Sequence, residues 1–286
     1  MNKTKVGIIG SGNIGTDLLM KVLRSDVLEC GIFAGRNLES KGMLHARKLG
    51  VPITDESIQY IVDNPECCDI VFDATSAEVH RINAPILKAL NKFAVDLTPA
   101  HVGRFCIPVL NGNEVVEEEN VNLITCGGQA TVPIARAIIN AKQDVKYFEI
   151  VATIASKSAG IGTRNNIDEF TQTTKEALMT FTGVENAKAI IVLNPAEPPI
   201  TMHNTLYAII DDPDMDAISN EVIQMVKSIR SYVPGYKLLT GPLYENGRVC
   251  ITISVTGSGD YLPGYAGNLD IITCAALAIA EKRARG

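Results

Sequence analysis

KVGIIGSGNIGTDLLMKVL, residues 5–23, joins a short β-branched run to a helical pattern through Gly10-Ser11-Gly12-Asn13-Ile14-Gly15. Leu18, Leu19, Val22 and Leu23 then recur at the spacing of one helix face. This is GxGxxG in strand–turn–helix context. The first glycine permits a tight turn, the second lets backbone approach a pyrophosphate, and the third lets helix and strand pack closely. The helix start offers free N–H groups and a partial positive charge to phosphates. The stretch therefore predicts a dinucleotide-binding α/β unit.

The residues that follow extend the pattern. LECGIFAG (28–35), DIVFDATS (69–76), FAVDLTPA (93–100) and VNLITC (121–126) read as strands. MLHARKLG (43–50) and RINAPILKAL (81–90) read as helices. Such alternation predicts a Rossmann-type doubly wound parallel sheet, with ligands at the carboxyl ends of its strands. Ala74-Thr75-Ser76, Thr98-Pro99 and Cys126 fall at such ends. An acid is expected near the end of the second strand to hold a ribose, but Arg36 and Asn37 stand there. Arg36 reads either as a 2′-phosphate acceptor, which favours NADP, or as a solvated surface residue beside NAD.

Beyond a predicted helix at 132–143 the texture changes. Residues 145–156, 187–195, 205–210 and 248–257 read as strands, and 157–183 as a glycine-rich loop followed by a helix. A helix is expected at 215–233, with apolar residues at Ile218, Val222, Ile223, Met225, Val226 and Ile229. Long strands with few crossovers predict an α+β domain with a mixed or antiparallel sheet. The closing segment from Ala266 reads as an amphipathic helix that returns to the first domain. The expected division is 1–130 with 266–286 against 131–265.

Composition excludes several classes. The chain has 286 residues, 46% hydrophobic and 20% charged, and a net charge of −6 with no basic stripe, which speaks against nucleic acid. There is no 18-residue apolar run and hence no expected membrane span. The first residues enter a strand directly without a leader pattern, so a cytoplasmic protein is expected. The seven cysteines are irregularly spaced without CxxC, which predicts reduced thiols rather than a disulfide framework or a metal site.

Cys126 stands apart from the other six. It ends a predicted strand, Gly127 and Gly128 follow, and a helix is expected shortly after. A thiol at a helix start can fall well below about 8.5, and nearby N–H groups can hold an oxyanion. With a nicotinamide cofactor, such a thiolate adds to an aldehyde, and oxidation of the thiohemiacetal leaves a thioester. The alternative is a buried cysteine with a packing role.

The stretches KVGIIGSGNIGTDLLMKVLR, VFDATSAEVH, VDLTPAHVG, NVNLITCGGQATVP, SKSAGIGTRNNIDEFTQTT, AKAIIVLNPAEPP, YVPGY and YLPGYAGNLDIIT run from residue 5 to 273. In them the chain resembles the acylating acetaldehyde dehydrogenases, NAD-linked enzymes that make acetyl-CoA from acetaldehyde. The resemblance implies a semialdehyde-dehydrogenase-like architecture, with a second domain that is catalytic and builds a homodimer. It implies Cys126 as the acyl-carrying nucleophile, with Asn166 and Asn204 near the substrate. Ser11, Gly12, Asn13 and Ile14 would touch NAD, as would Ser158, Ala159, Gly160, Ile161, Gly162, Thr163, Arg164, Asn165, Asn166 and Asn268. It further implies coenzyme A as acyl acceptor, a 4-hydroxy-2-oxovalerate aldolase partner that passes on acetaldehyde, and a place in aromatic hydrocarbon catabolism.

Three departures qualify the resemblance. The family's MRDT corresponds to Met202-His203-Asn204-Thr205, so an expected aspartate is Asn204. Strand alternation points the neighbouring His203 elsewhere. Arg36 replaces an acid, and the stretch 237–260 is shorter than the family's. Two rivals stand beside the leading reading. A phosphorylating semialdehyde dehydrogenase would need a basic cluster near Cys126, and a nucleotide-sensing subunit gating an aldolase would fit the loss of the aspartate. Among other residues, His45 and His80 read as surface or packing groups, the latter just before a helix. His101 at a strand end could line the crevice, and Asp168 and Glu169 read as acids favoured at a helix start. Glu117, Glu118 and Glu119 read as a solvated turn.

Overall fold

In the first strand, β1 (Thr4–Ile9), successive side chains alternate between two buried faces, as a central parallel strand requires. The computed structural model describes residues 3–286; Met1 and Asn2, at the start of the first predicted domain, and the side chains of Ile161 and Gly162 lie outside the described residues. After β1 come α1 (Asn13–Val22), β2 (Leu28–Ala34), α2 (Lys41–Lys48), β3 (Ile53–Thr54) and α3 (Ile58–Asp63). Then follow β4 (Ile70–Asp73), α4 (Ala77–Ala89), β5 (Phe93–Asp96), β6 (Arg104–Phe105), α5 (Pro108–Asn111) and β7 (Asn120–Asn122). The strands form a seven-stranded sheet in the order β3-β2-β1-β4-β5-β7-β6. Every pairing in it is parallel. The order reverses between β1 and β4, where ligands of such sheets bind.

Both faces of this sheet are covered. Val6, Ile8, Phe33, Phe72 and Val95 pack with Leu18, Leu19 and Val22 of α1, Met43 of α2 and Ile272, Ala276 and Ile279 from the C-terminal helix. Ile9, Ile32, Val71 and Ala94 face the other way, against Ile61 of α3 and Leu87 of α4. The predicted amphipathic C-terminal helix is thus part of this core. It also donates from Thr273 Oγ1 to Asp17, whose carboxylate pairs with Lys21 at 2.8 Å.

The second compact unit begins with α6 (Cys126–Asn140) and β8 (Tyr147–Ala155), followed by α7 (Ile161–Asn165), α8 (Ile167–Thr182) and β9 (Ala187–Asn194). It continues with β10 (Met202–Ile209), α9 (Met215–Arg230), β11 (Tyr236–Glu245) and β12 (Arg248–Val255), and the chain closes with α10 (Gly267–Arg285). The five-stranded sheet runs β11-β12-β10-β8-β9. Only β8 and β9 pair in parallel; the other neighbours are antiparallel. The predicted mixed sheet is therefore present. On β10, Met202, Asn204, Leu206 and Ala208 are buried while His203, Thr205 and Tyr207 are half-buried.

Several boundaries differ from the sequence reading. The compact units are 1–123 with 272–286, and 124–271, rather than divided at 130 and 265. The reason is that α6 starts at Cys126, six residues before its expected start, and packs with the second unit's elements. The predicted strand 121–126 shrinks to Asn120–Asn122. The glycine-rich loop expected to open the segment 157–183 is itself helical, with a 3₁₀ turn at Ser156–Ser158 and α7 beyond it. Arg164 folds it back by donating to the carbonyls of Ser156 and Ala159. Strand β11 was not expected at all. Asn246 and Gly247, with φ of 51° and 76°, make the tight turn to β12 that an Asn-Gly pair signals.

Candidate active site

The glycine loop can be tested residue by residue for its fit to a dinucleotide. Gly10 has φ +113°, and a Cβ there would stand 2.5 Å from the Ala74 carbonyl oxygen at the end of β4. A Cβ on Gly15 would stand 1.8 Å from the Gly10 carbonyl oxygen. Both positions are closed to any side chain. Gly12 is different: it caps α1 in extended conformation, offers no side-chain cap, and has nothing within 4 Å of a Cβ position. Open space in front of uncapped helix amides is what a pyrophosphate needs. Ser11 is tied to the β2–α2 junction, its Oγ 3.0 Å from Ser40 Oγ. Asn13 and Ile14 open α1 and are half-buried, and Arg36 and Asn37 are exposed beyond β2. The residues present fit the group.

Cys126 lies in the second unit as the first residue of α6, not at the end of a strand. Thr125 is the N-cap, and its hydroxyl accepts from the Gly128 N–H at 2.9 Å. That N–H, one of those expected to hold an oxyanion, is therefore used by the cap. Thr125 is held in turn by Thr174 Oγ1 at 2.7 Å. The two glycines pack tightly: a Cβ on Gly127 would stand 3.0 Å from Ala152 Cβ and from the Phe170 ring, and one on Gly128 would stand 2.6 Å from Ile124 Cγ2. Ile124 itself has φ +65°, a conformation that costs a β-branched residue about 1–3 kcal/mol. Such strain collects at functional sites.

The thiol contradicts one expectation. Burial pushes Cys126 up to about 12, against the lowering effect of the Gly127 and Cys126 backbone N–H groups. Cys30 and Cys106 are also pushed up to about 12 by burial. Helix-start amides alone thus leave Cys126 no more acidic than two packing cysteines. What distinguishes it is place: it is the first residue of a capped helix, two residues after the strained Ile124.

Asn204 on β10 is fully buried and pairs in register with Ala152, the residue that touches Gly127. Its Nδ2 lies 3.4 Å from Thr131 Oγ1, and Thr131 donates to the Gly127 carbonyl. The hydroxyl's one proton is committed, so Asn204 is the donor in this chain. Asn204 Oδ1 is buried without a partner among the described residues. Tyr236 adds a further tie, donating from its phenol to the Ala130 carbonyl at 2.6 Å. The predicted opposition of His203 and Asn204 holds: His203 is half-buried, with Nδ1 3.2 Å from the Thr201 carbonyl oxygen. A Thr131→Val variant removes both bonds of this chain. It is expected to lower stability by about 1–3 kcal/mol in denaturant unfolding, since the Asn204 amide is left without its acceptor.

The other residues fall as follows. Ser158 and Ala159 are buried, with Ser158 Oγ donating to the Ala155 carbonyl at 2.9 Å. Gly160 caps α7; Thr163 and Asn166 are half-buried, and Arg164 and Asn165 are exposed. Asn268 lies in the first turn of α10, 6% exposed, its Oδ1 buried without a partner among the described residues. His101 stacks on Phe105 with ring centroids 4.0 Å apart. Asp168 and Glu169 sit in the first turn of α8 as read. Glu117, Glu118 and Glu119 pair with Arg283, Arg104 and Lys88, surface contacts of little energetic weight. His80, expected just before a helix, lies inside α4, since the Ser76 cap starts that helix four residues earlier; it is fully buried between Asp73 and Asp96. Sequence periodicity carried no sign of that cluster. Among the described residues no group of side chains suits a metal ion, and no helix is long and apolar enough to cross a membrane.

Comparison with known proteins agrees with this geometry. A family model described as "Prokaryotic acetaldehyde dehydrogenase, dimerisation" matches residues 126–263. The chain is 53% identical to an acetaldehyde dehydrogenase of Pectobacterium atrosepticum over 281 residues, which cover 98% of this chain and 95% of that protein. It is 51% identical to one from Geobacillus stearothermophilus over 287 residues, covering 100% and 97%. Aspartate semialdehyde dehydrogenase II of Vibrio cholerae shares the fold, with a TM-score of 0.62 at 13% identity and 98% of each chain covered. The doubly wound sheet, the second mixed sheet and these likenesses together establish that the chain belongs to the acetaldehyde dehydrogenase family of oxidoreductases.

Proposed function

We propose that the protein oxidises acetaldehyde, or another short aldehyde, to the acyl-CoA with NAD as oxidant and Cys126 as nucleophile. The observation that carries this reading is the setting of Cys126: first residue of a capped helix, two residues after the strained Ile124 and followed by two closely packed glycines. Ser11, Gly12, Asn13 and Ile14 hold the nucleotide, with the 158–166 segment and Asn268. The orphaned buried Oδ1 of Asn268 suits an amide donor such as a carboxamide. The nicotinamide supplies a two-electron acceptor and, when oxidised, a positive charge.

Cys126 acts as thiolate. Its sulfur bonds to the aldehyde carbon, and the carbonyl oxygen becomes the alkoxide of a thiohemiacetal. Loss of hydride from that carbon, which a bound nicotinamide would accept, would leave a thioester on Cys126. The thiolate of coenzyme A then adds to the thioester carbonyl, the bond to Cys126 breaks, and acyl-CoA departs with Cys126 again a thiolate. Asn204 cannot take a proton, so the chain's own part near the thiol is to hold the α6 start through Thr131. Ionisation of Cys126 relies on positive charge rather than on a general base.

The other face of the second sheet supports a homodimer. Val151, Thr205, Tyr207 and Thr252 lie there half-buried, and Val192, Leu239 and Leu243 are exposed. An apolar sheet face of this kind is suited to self-association, and the matched family description names dimerisation. An aldolase that supplies acetaldehyde, and a cytoplasmic setting, complete the reading by resemblance.

The test is reduction of nicotinamide followed by absorbance, with acetaldehyde and either NAD or NADP. Sustained turnover that requires coenzyme A is expected. Turnover with phosphate in its place would favour the semialdehyde-type reaction, and none with either acceptor would overturn the enzymatic reading. NADP preference would give Arg36 a role.

A further inference from the structure

A buried charged cluster lies where β4, β5 and β7 meet α4, and the chemistry above makes no use of it. Asp73, His80, Asp96 and Asn122 are each 0% exposed. His80 Nδ1 lies 2.9 Å from Asp73 Oδ2, and its Nε2 lies 3.4 Å from Asp96 Oδ2. A neutral imidazole carries one N–H and can serve only one of two carboxylates; an imidazolium serves both. Burial works against the charged ring, but the Asp73 hydrogen bond and the charges of Asp96 and Asp73 outweigh it and raise the His80 pKa.

The neighbouring amide is consistent with the charged form. Asn120 places its carboxamide nitrogen 3.0 Å from His80 Nε2, and its Oδ1 is buried without a partner among the described residues. Half a turn of that carboxamide brings the oxygen to the Nε2–H, shared with Asp96, and gives it a donor. Among the described residues, the charged groups against the ring are Asp73 on β4 and Asp96 on β5; α4 adds Asn83 on Asp73, and β7 adds Asn120 and Asn122, all uncharged.

Each carboxylate also organises a strand end. Asp73 accepts from the Thr75 N–H at 3.1 Å, from the Thr75 hydroxyl, and from Asn83 at 2.8 Å. Asp96 accepts from the Thr98 N–H at 2.7 Å and from Asn122 at 2.6 Å. Between Asp73 and Thr75 lies Ala74. Its N–H donates to the Ile9 carbonyl at 2.8 Å, and its own carbonyl closes the space over Gly10. The turn that Asp73 fixes is therefore the wall behind the first glycine of the nucleotide loop.

We propose that His80 is a resident imidazolium that clamps the carboxyl ends of β4 and β5, and is a positioning residue for the Gly10–Gly15 loop. This rests on the nucleotide reading above. His80 holds its proton at neutral pH, and the clamp weakens as pH rises through the raised value. Asp96, raised to about 6 chiefly by burial, weakens it from the acid side.

The test uses the 286-residue chain. It has four histidines, so long-range proton–nitrogen spectra resolve every ring. One ring is expected to carry protons on both nitrogens at pH 7, and its signals should be missing from His80→Gln. The dissociation constant for NAD, measured by calorimetry, is expected to rise about tenfold in His80→Gln. The wild-type constant should rise with pH at the midpoint where the doubly protonated signal is lost, while the variant's stays flat there. A merely structural histidine would lower thermal stability and leave that pH profile in place. If His80→Gln does not fold, coincidence of the two wild-type midpoints still decides. A singly protonated ring at pH 7 with normal NAD binding would overturn the clamp. A charged ring without any NAD binding would overturn the nucleotide reading, and the positioning role with it.

Discussion

Cys126→Ser is expected to cut aldehyde-dependent reduction of NAD by roughly 10³-fold or more while the protein folds and binds nucleotide as before. Serine keeps the shape and the helix start but replaces the nucleophile by a far weaker acid and the thioester by an ester. Full activity in this variant would sink the nucleophile assignment. The state of the thiol sharpens the test. With Cys126 pushed up to about 12 by burial, the free thiol is overwhelmingly protonated at pH 7. Alkylation of Cys126 by iodoacetamide should therefore be slow in the free protein, and should rise about tenfold per pH unit well below that value. Oxidised NAD, which brings a positive charge, should accelerate alkylation; reduced NADH should not. Equal rates with both forms would show that ionisation has another source.

Gly12→Ala and Gly15→Ala are expected to separate binding from folding. Nothing lies within 4 Å of a Cβ on Gly12, and its extended backbone suits alanine. Gly12→Ala should melt within a degree or two of the parent, yet its NAD affinity should fall roughly tenfold or more, because the methyl group occupies the approach to the phosphates. At Gly15 the methyl group would stand 1.8 Å from the Gly10 carbonyl oxygen. Backbone must then give way between β1 and α1, at about 3 kcal/mol and roughly 6–12 °C in melting temperature. Tight NAD binding by Gly12→Ala would remove the nucleotide from this loop.

Particular residues show how far sequence could carry the argument. The GxGxxG stretch determined a parallel sheet with a nucleotide-type loop, because steric demands on glycine act over a few neighbouring residues. Leu18, Leu19 and Val22 identified the buried face of α1 for the same local reason. The alternation on β10 that separates His203 from Asn204 was legible as well. The Asn246-Gly247 turn was equally local and carried a hairpin signal, although the strand before it offers little alternation, with Leu239, Leu243 and Tyr244 all exposed.

What only tertiary structure decided concerns groups distant in sequence. Gly127 and Gly128 look like a loop beside Cys126, yet they form a helix turn because Ala152, Phe170 and Ile124 press against them and Thr125 caps it. The thiol's high value follows from burial, a property of the whole packed unit. His80 reads as an ordinary packing residue until Asp73, Asp96 and Asn120 converge on it from three strands. Sequence determines local conformation because propensity and turn chemistry are short-ranged. Charge states and helix starts inside a core are set by neighbours tens of residues away, and those are assigned only when the sheet is assembled.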